Sequence, residues 1–286
     1  MNFQAGEKLT LPVSRITDIG YMLGDEHEEV FMHKNETEEE LFEGQEVDVF
    51  LYHDHSGRLA ATAYVPNIGI NELDWVVVTD VKPDLGVFVD IGVSKDVLIG
   101  RSDLPAHEEV WPEVGDELYC RLKRTSAGRL IGKLASTDNM KDISTAATPS
   151  MHNKNVSGRI YRTLYVGSYI LTDERFLGFI HDSERQEEPR LGQRVTGRII
   201  DVKENGEINV SLRPRKQEGQ DEDAQVIYEY MESRGGAMPF WDKSHPEDIK
   251  NRFNLSKAAF KRAMGKLLKE GKVYQEEGWT YFKKGE

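Results

Sequence analysis

From Arg194 to Leu212 the chain alternates. Val195, Gly197 and Ile199 fall on one side of an extended segment and Arg194, Thr196 and Arg198 on the other, the period of two expected of a half-buried strand. Lys203-Glu204-Asn205-Gly206 interrupts the alternation as a hairpin turn before Ile208, Val210 and Leu212 resume it. After Arg215 the period lengthens. Beyond a charged segment from Lys216 to Asp223, which reads as a linker, Val226, Ile227, Tyr230 and Met231 recur at helical spacing, as do Phe260, Ala263, Met264, Leu267 and Leu268. Between these two stripes, Pro246 with Glu247 and Asp248 predicts the start of a short helix, and Phe253-Asn254-Leu255 its end. Ser256 is the expected cap of the last helix and Gly271 its stop. Val273-Tyr274-Gln275 and Trp279-Thr280-Tyr281 then form a hairpin across Glu276-Glu277-Gly278.

The alternating part of the chain is a threefold repeat. Gly20 precedes His33 by 13 residues, Gly86 precedes Gly100 by 14 and Gly167 precedes His181 by 14. Each copy continues through a glycine that opens a strand (Gly44, Gly115, Gly192) and another that opens the last hairpin strand (Gly57, Gly128, Gly206), spaced 13, 13 and 14. Five short strands with a longer link between the third and fourth match the OB layout, whose second and third strands form a nucleic-acid face. The expected fold is therefore multidomain: three five-stranded OB-fold barrels in tandem at residues 1–65, 66–146 and 147–216, then an α+β domain at 217–286. Asn67 to Trp75 and Thr137 to Pro149, polar or turn-rich, read as linkers.

The third copy, with Gly167-Ser168-Tyr169-Ile170, Gly178-Phe179-Ile180-His181, Gly192-Gln193-Arg194-Val195 and Val210-Ser211-Leu212, resembles an S1 RNA-binding domain almost throughout. The copy with Gly86-Val87-Phe88-Val89-Asp90 is a close relative, and the copy with Val30-Phe31-Met32-His33 is more divergent. Three helices followed by a hairpin resemble a winged helix. The whole order, together with the run from Pro246 to Lys257, resembles the conserved virulence factor B family of S1-containing bacterial proteins. That resemblance implies RNA binding and an influence on gene expression.

Composition at first points the other way. Lys and Arg number 37 against 50 Asp and Glu, a net charge of -13, whereas phosphate binding relies on cations. The acidity is uneven: residues 1–64 carry 4 basic and 14 acidic side chains, residues 65–150 carry 9 and 14, residues 151–215 carry 11 and 9, and residues 216–286 carry 13 and 13. Screening within about 10 Å leaves the C-terminal half able to attract a polyanion. The single cysteine, Cys120, excludes an internal disulfide and any multi-cysteine zinc site. No apolar run approaches the ~20 residues of a membrane span, and the N-terminus lacks a secretory pattern, so a cytoplasmic location is expected.

Single-stranded RNA binds by stacking bases on rings beside a positive groove. In the third copy Tyr165, Tyr169, Phe179 and His181 supply rings and Arg159, Arg162, Arg194 and Arg198 supply charge. Tyr169 and His181 stand where S1 domains carry a binding Phe and His. The other copies are incomplete: Met22 replaces the first aromatic in the first, and Gly100 replaces the His in the second, which keeps Phe88 and Arg129. The Asp and Arg that S1 domains often carry at the last hairpin are matched by Asp54 and Arg58, while the third copy has Glu204 and Glu207 there. In the last helix Lys257, Lys261, Arg262, Lys266 and Lys269 form a polar side that could meet phosphates. Glu276 and Glu277 at the wing tip disfavour duplex DNA. His53 and His55 lack the further ligands of a metal site, and no phosphate-loop or His-Glu-x-x-His motif is present.

The expectation is a non-enzymatic protein that binds single-stranded RNA mainly through the third barrel with help from the winged helix, without cofactor or membrane, and that regulates gene expression post-transcriptionally. Two alternatives remain at this level. One is a duplex-DNA-binding transcription regulator acting through the winged helix. The other is an adaptor whose acidic N-terminal barrels dock on a ribosomal or RNA-degrading assembly.

Overall fold

The computed structural model describes residues 3–214 and 216–283, the last stretch with its side chains from residue 222 onward. The chain divides into two compact units, Met1–Leu212 and Arg213–Glu286.

The first unit holds three closed barrels. Strands β1 (Lys8–Ile16), β2 (Gly20–Gly24), β3 (Glu29–His33), β4 (Glu46–His53) and β5 (Leu59–Thr62) form the first. The second contains β6 (Asp74–Lys82), β7 (Gly86–Asp90), β8 (Val97–Gly100), β9 (Glu117–Arg124) and β10 (Leu130–Leu134). The third contains β11 (Asn155–Leu164), β12 (Gly167–Thr172), β13 (Leu177–His181), β14 (Arg194–Val202) and β15 (Ile208–Ser211). Each is a meander of three strands closed by a parallel pairing of its third and fifth strands: Phe31 with Ala60, Ile99 with Gly132, and Gly178 with Ile208. The five-stranded barrels predicted from the repeat are therefore present in all three copies.

Alternation explains the third core. Ile160, Ile170, Ile180, Ile199, Ile208 and Val210 point inward and are fully buried, which removes their apolar surface from water. The leading glycine of each copy has a steric cause. A Cβ on Gly167 would lie 2.3 Å from the Ile180 carbonyl oxygen, and on Gly20 or Gly86 2.2 or 2.1 Å from the Met32 or Ile99 carbonyl oxygen. The second and third strands approach too closely there for any side chain.

Neighbouring barrels are joined by side chains rather than by slack chain. Phe50, Tyr52 and Ala60 of the first barrel pack in one cluster with Val87, Val97 and Leu118 of the second. Tyr52 Oη lies 2.8 Å from Ser94 Oγ and donates to Glu36 Oε1 at 3.0 Å, and burial pushes its hydroxyl pKa up to about 12. Between the second and third barrels, the segment read as a linker contains helix α1 (Thr137–Asp142). Ser136 and Asn139 cap it reciprocally, and its Met140 is fully buried against Leu171 and Leu177. Arg190 reaches back to Glu113 at 3.1 Å and Asp116 at 3.3 Å.

Cys120 lies fully buried in the cluster shared by the first and second barrels. Burial, helped by the charge of Asp74, pushes its thiol pKa up to about 12, so the thiol stays protonated and unreactive at neutral pH. A small alkylating reagent is expected to modify Cys120 rapidly in denaturant and very slowly in the folded chain. Comparable rates by mass spectrometry would contradict the closed core.

The second unit contains α2 (Lys216–Ser233), β16 (Ala237–Met238), α3 (Pro246–Phe253), α4 (Lys257–Lys269), β17 (Val273–Glu276) and β18 (Trp279–Phe282), with sheet order β16-β18-β17. The charged segment from Lys216 to Asp223 belongs to α2 rather than to a linker. The other boundaries follow the expected signals. Pro246 opens α3, Asn254 ends it in the left-handed conformation, and Ser256 caps α4 by accepting from the Ala259 amide at 3.2 Å. Ile227, Met231, Met238, Ile249, Phe260 and Ala263 form the buried core. Among the described residues no helix is long and apolar enough to cross a membrane, and no group of three or more His, Cys, Asp or Glu is placed to hold a metal.

Candidate nucleic-acid interface

On the outer face of the third barrel, strand pairing brings rings from three strands into one row. Tyr169 on β12 lies directly opposite Phe179 on β13, and Phe179 lies beside Asn209 on β15. Ring centroids are 5.9 Å apart for Tyr161–Tyr169, 5.1 Å for Tyr169–Phe179 and 6.3 Å for Phe179–His181. These distances are those of interacting aromatic pairs. Tyr169 and Phe179 are part-exposed and His181 exposed, so the row offers ring surface to a ligand. His181 is oriented by its own turn: its Nδ1 accepts from the Ser183 amide at 3.2 Å and lies 2.8 Å from Ser183 Oγ.

Tyr161 extends the row and was missing from the residues expected at the site. A register shift between Ile160 and Arg162 allows Tyr161 and Arg162 both to face out, although they are adjacent. The alternation of Val156, Gly158 and Ile160 already placed Tyr161 outward. Burial of its hydroxyl pushes its pKa up to about 12. Tyr161 also packs in the cluster of Met140, Trp75 and Tyr119 between the second and third barrels, so it anchors the row to that seam. A cleft of about 430 Å³, lined by Asp103, Pro105, Thr137, Tyr161 and Arg162 among others, opens at this end.

The expected cations separate into two groups. The Arg162 guanidinium lies 5.9 Å from the Tyr169 ring and donates to Thr137 Oγ1 at 3.1 Å, so it joins the row exposed and without a carboxylate partner among the described residues. Arg159 is turned toward the second barrel, 2.6 Å from Glu117 and over the Trp75 ring at 5.2 Å. Arg194 holds Asp173 in a two-pronged ion pair of 2.9 and 2.5 Å, which raises the Arg194 pKa and cancels its charge locally. Arg198 stands on β14 opposite Asn155 of β11 and Ser211 of β15. Tyr165 is 95% exposed at the turn between β11 and β12 and makes no ring contact among the described residues.

The other barrels hold the same positions with different residues. In the first, Met22 lies opposite Phe31, and Phe31 meets His33 edge-on at 6.4 Å. In the second, Phe88 lies opposite Leu98 and Gly86 opposite Gly100. The last hairpin of the first barrel pairs Arg58 with Asp54 at 2.8 Å, whereas the third pairs Lys203 with Glu207 at 3.4 Å, the charges reversed.

In the winged unit, Lys261 and Arg262 are exposed on α4, Lys257 is half-buried, and Lys266 lies 3.6 Å from Glu270. The sheet adds an unexpected row of rings: Tyr274 stacks near Tyr281 at 5.3 Å and Trp279 near Tyr281 at 6.3 Å. Tyr274 and Trp279 are both well exposed.

Four family descriptions match along the chain: an S1 domain at residues 5–63, a CvfB first S1-like domain at 73–133, the second domain of the virulence regulatory factor CvfB at 140–214, and a CvfB-like winged helix domain at 225–282. The chain is 50% identical over 283 residues to YitL, an uncharacterised protein of Bacillus subtilis, covering 99% of this chain and 95% of that one. It is 41% identical over 270 residues to conserved virulence factor B of Staphylococcus epidermidis, covering 93% and 90%. A crystal structure of a multidomain protein with nucleic acid binding domains from Streptococcus pneumoniae matches with a TM-score of 0.67 at 35% identity, over 98% of both chains. The S1 and winged-helix matches imply nucleic-acid binding.

Proposed function

The chain belongs to the conserved virulence factor B family, and from that premise we propose that it is a non-enzymatic, cytoplasmic protein that binds single-stranded RNA and regulates gene expression post-transcriptionally. The observation that carries this reading is the continuous row of Tyr161, Tyr169, Phe179 and His181 with Arg162 over one ring. Part-exposed rings at the spacing of successive bases, beside one uncompensated cation, suit unpaired bases with a phosphate between them. They do not suit a duplex, whose bases are already stacked. The winged unit contributes Lys261 and Arg262 and the ring row of its sheet, and Glu276 paired across from Trp279 disfavours duplex phosphates.

Competition for the full chain between an oligouridylate and a duplex DNA of equal length tests the class of ligand, and a clear preference for duplex would overturn the reading. Salt dependence tests the cations. Arg162→Ala is expected to lower the slope of log affinity against log salt by about 0.7, one phosphate contact on a single strand. Arg194→Ala is expected to leave the slope unchanged, because Asp173 already neutralises that guanidinium. Equal slopes for the two variants would show that Arg162 is not at the phosphate.

A further inference from the structure

Each barrel joins its first two strands by a turn that ends on an exposed aliphatic residue just before the leading glycine. These are Ile19, Leu85 and Val166, exposed by 62%, 52% and 53%. One backbone bond fixes all three: the carbonyl accepts from the Lys34, Arg101 or Asp182 amide at 3.1, 2.9 or 3.2 Å. Those amides follow directly on the third strand, so each turn is held against the end of the second and third strands. The residue before the aliphatic one divides the copies. It is Asp18 in the first and Asp84 in the second, both ordinary turn residues. In the third it is Tyr165, 95% exposed. That turn is also shorter than the second, with two residues between the paired Leu164 and Gly167 against three between Lys82 and Gly86. Two-residue turns favour Gly, Asn or Asp, and a ring left in water gains nothing from burial. Neither turn chemistry nor packing among the described residues accounts for Tyr165.

Its position gives it a use. The ring row runs from Tyr161 through Tyr169 and Phe179 to His181, and His181 lies opposite Gly167. The row therefore ends at the foot of this turn, and Tyr165 and Val166 stand immediately past its last ring. The charges at the two ends differ. Arg162 lies opposite Tyr169, farther back along the row. At the tip, the exposed Asp182 places a carboxylate 2.7 Å from His181 Nδ1. A strand drawn onto the rings meets a cation, whereas the phosphates of a second strand arriving at the tip meet a negative charge.

We propose that the Tyr165–Val166 tip is a wedge at the junction of single- and double-stranded RNA, and that the protein opens duplex ends without consuming a nucleotide. The unpaired strand lies along the rings, the tip abuts the first base pair, and the partner strand is turned away. This inference rests on the single-strand binding proposed above for the third barrel. Opening needs no chemical energy source. A protein that binds the single strand and not the duplex shifts their equilibrium by mass action, and stacking a freed base on a ring is of the same order as the base-pair step lost. Apolar side chains inserted at a base step unstack it. One rigid tip acts only on the pairs next to the junction.

The experiment uses the full chain and an RNA hairpin with an oligouridylate tail, on the 5′ side in one substrate and on the 3′ side in another. The base pair next to the tail contains 2-aminopurine, which brightens when it unstacks. One tailed hairpin is expected to brighten saturably with protein, and a blunt hairpin is not. Tyr165→Asp is expected to lower the opening constant at least about tenfold while the affinity for oligouridylate alone, read by anisotropy, stays within about threefold. Tyr165→Phe keeps the ring and is expected to open the stem as the parent does. A parent that does not bind oligouridylate would overturn the single-strand reading and this inference with it. Oligouridylate binding without brightening of either tailed hairpin would overturn the wedge alone. Equal losses of tail affinity and opening in Tyr165→Asp would also overturn it, making Tyr165 one more stacking ring. So would undiminished opening by Tyr165→Asp, which would leave the tip to a protein partner.

Discussion

Replacing Tyr169 and Phe179 together by alanine is expected to weaken single-stranded RNA binding by the full chain about a hundredfold or more. Each stacked base contributes roughly 1–3 kcal/mol, and the two rings are the centre of the row, 5.1 Å apart and flanked by Tyr161 and His181. Fluorescence anisotropy at one fixed salt concentration reads the change. The variant should stay folded, because both side chains lie on the outer face of β12 and β13 while Ile170 and Ile180 fill the core behind them. A folded double variant with affinity within about threefold of the parent, far less than the loss of even one full stack, would remove the third barrel from the binding site.

Ile180→Ala, one residue along the same strand, should do the reverse. Ile180 is fully buried among Ile160, Ile170 and Ile208, and removing its side chain leaves a cavity worth about 2–5 kcal/mol. The urea midpoint should drop accordingly. RNA affinity measured well below that midpoint should hold, because the rings it supports face the other way. A stability loss under about 1 kcal/mol would mean that the core collapses around the cavity or is not closed as described. The contrast between positions 179 and 180 therefore separates binding from folding on a single strand, as a period of two demands.

Much of this was legible from residue order. The glycine frame marks where Gly20, Gly86 and Gly167 must let two strands approach, and the alternation from Val195 to Leu212 marks inward and outward residues. Helix α1 was not legible. Its Ser136–Asn139 cap is a local signal, but six residues of helix hold only because Met140 reaches the apolar seam between two barrels. The charged start of α2 likewise reads as linker in the sequence, since its charges mask the helical period that becomes regular only from Val226.

The site divides in the same way. Sequence alone determined that the third copy carries the rings, because Tyr169, Phe179 and His181 are set by strand register, and register is a local consequence of alternation and turn length. It also located the four-part order of the chain. Only the tertiary structure decided which cations serve the rings, because an arginine's charge is available or cancelled according to what lies within a few ångströms. Asp173 reaches Arg194, Glu117 of the neighbouring barrel reaches Arg159, and Arg162 is left over Tyr169. The same holds for the core that Phe50 and Tyr52 of the first barrel share with Val97 and Leu118 of the second: they become neighbours through the packing of one barrel on the next, which no periodicity encodes.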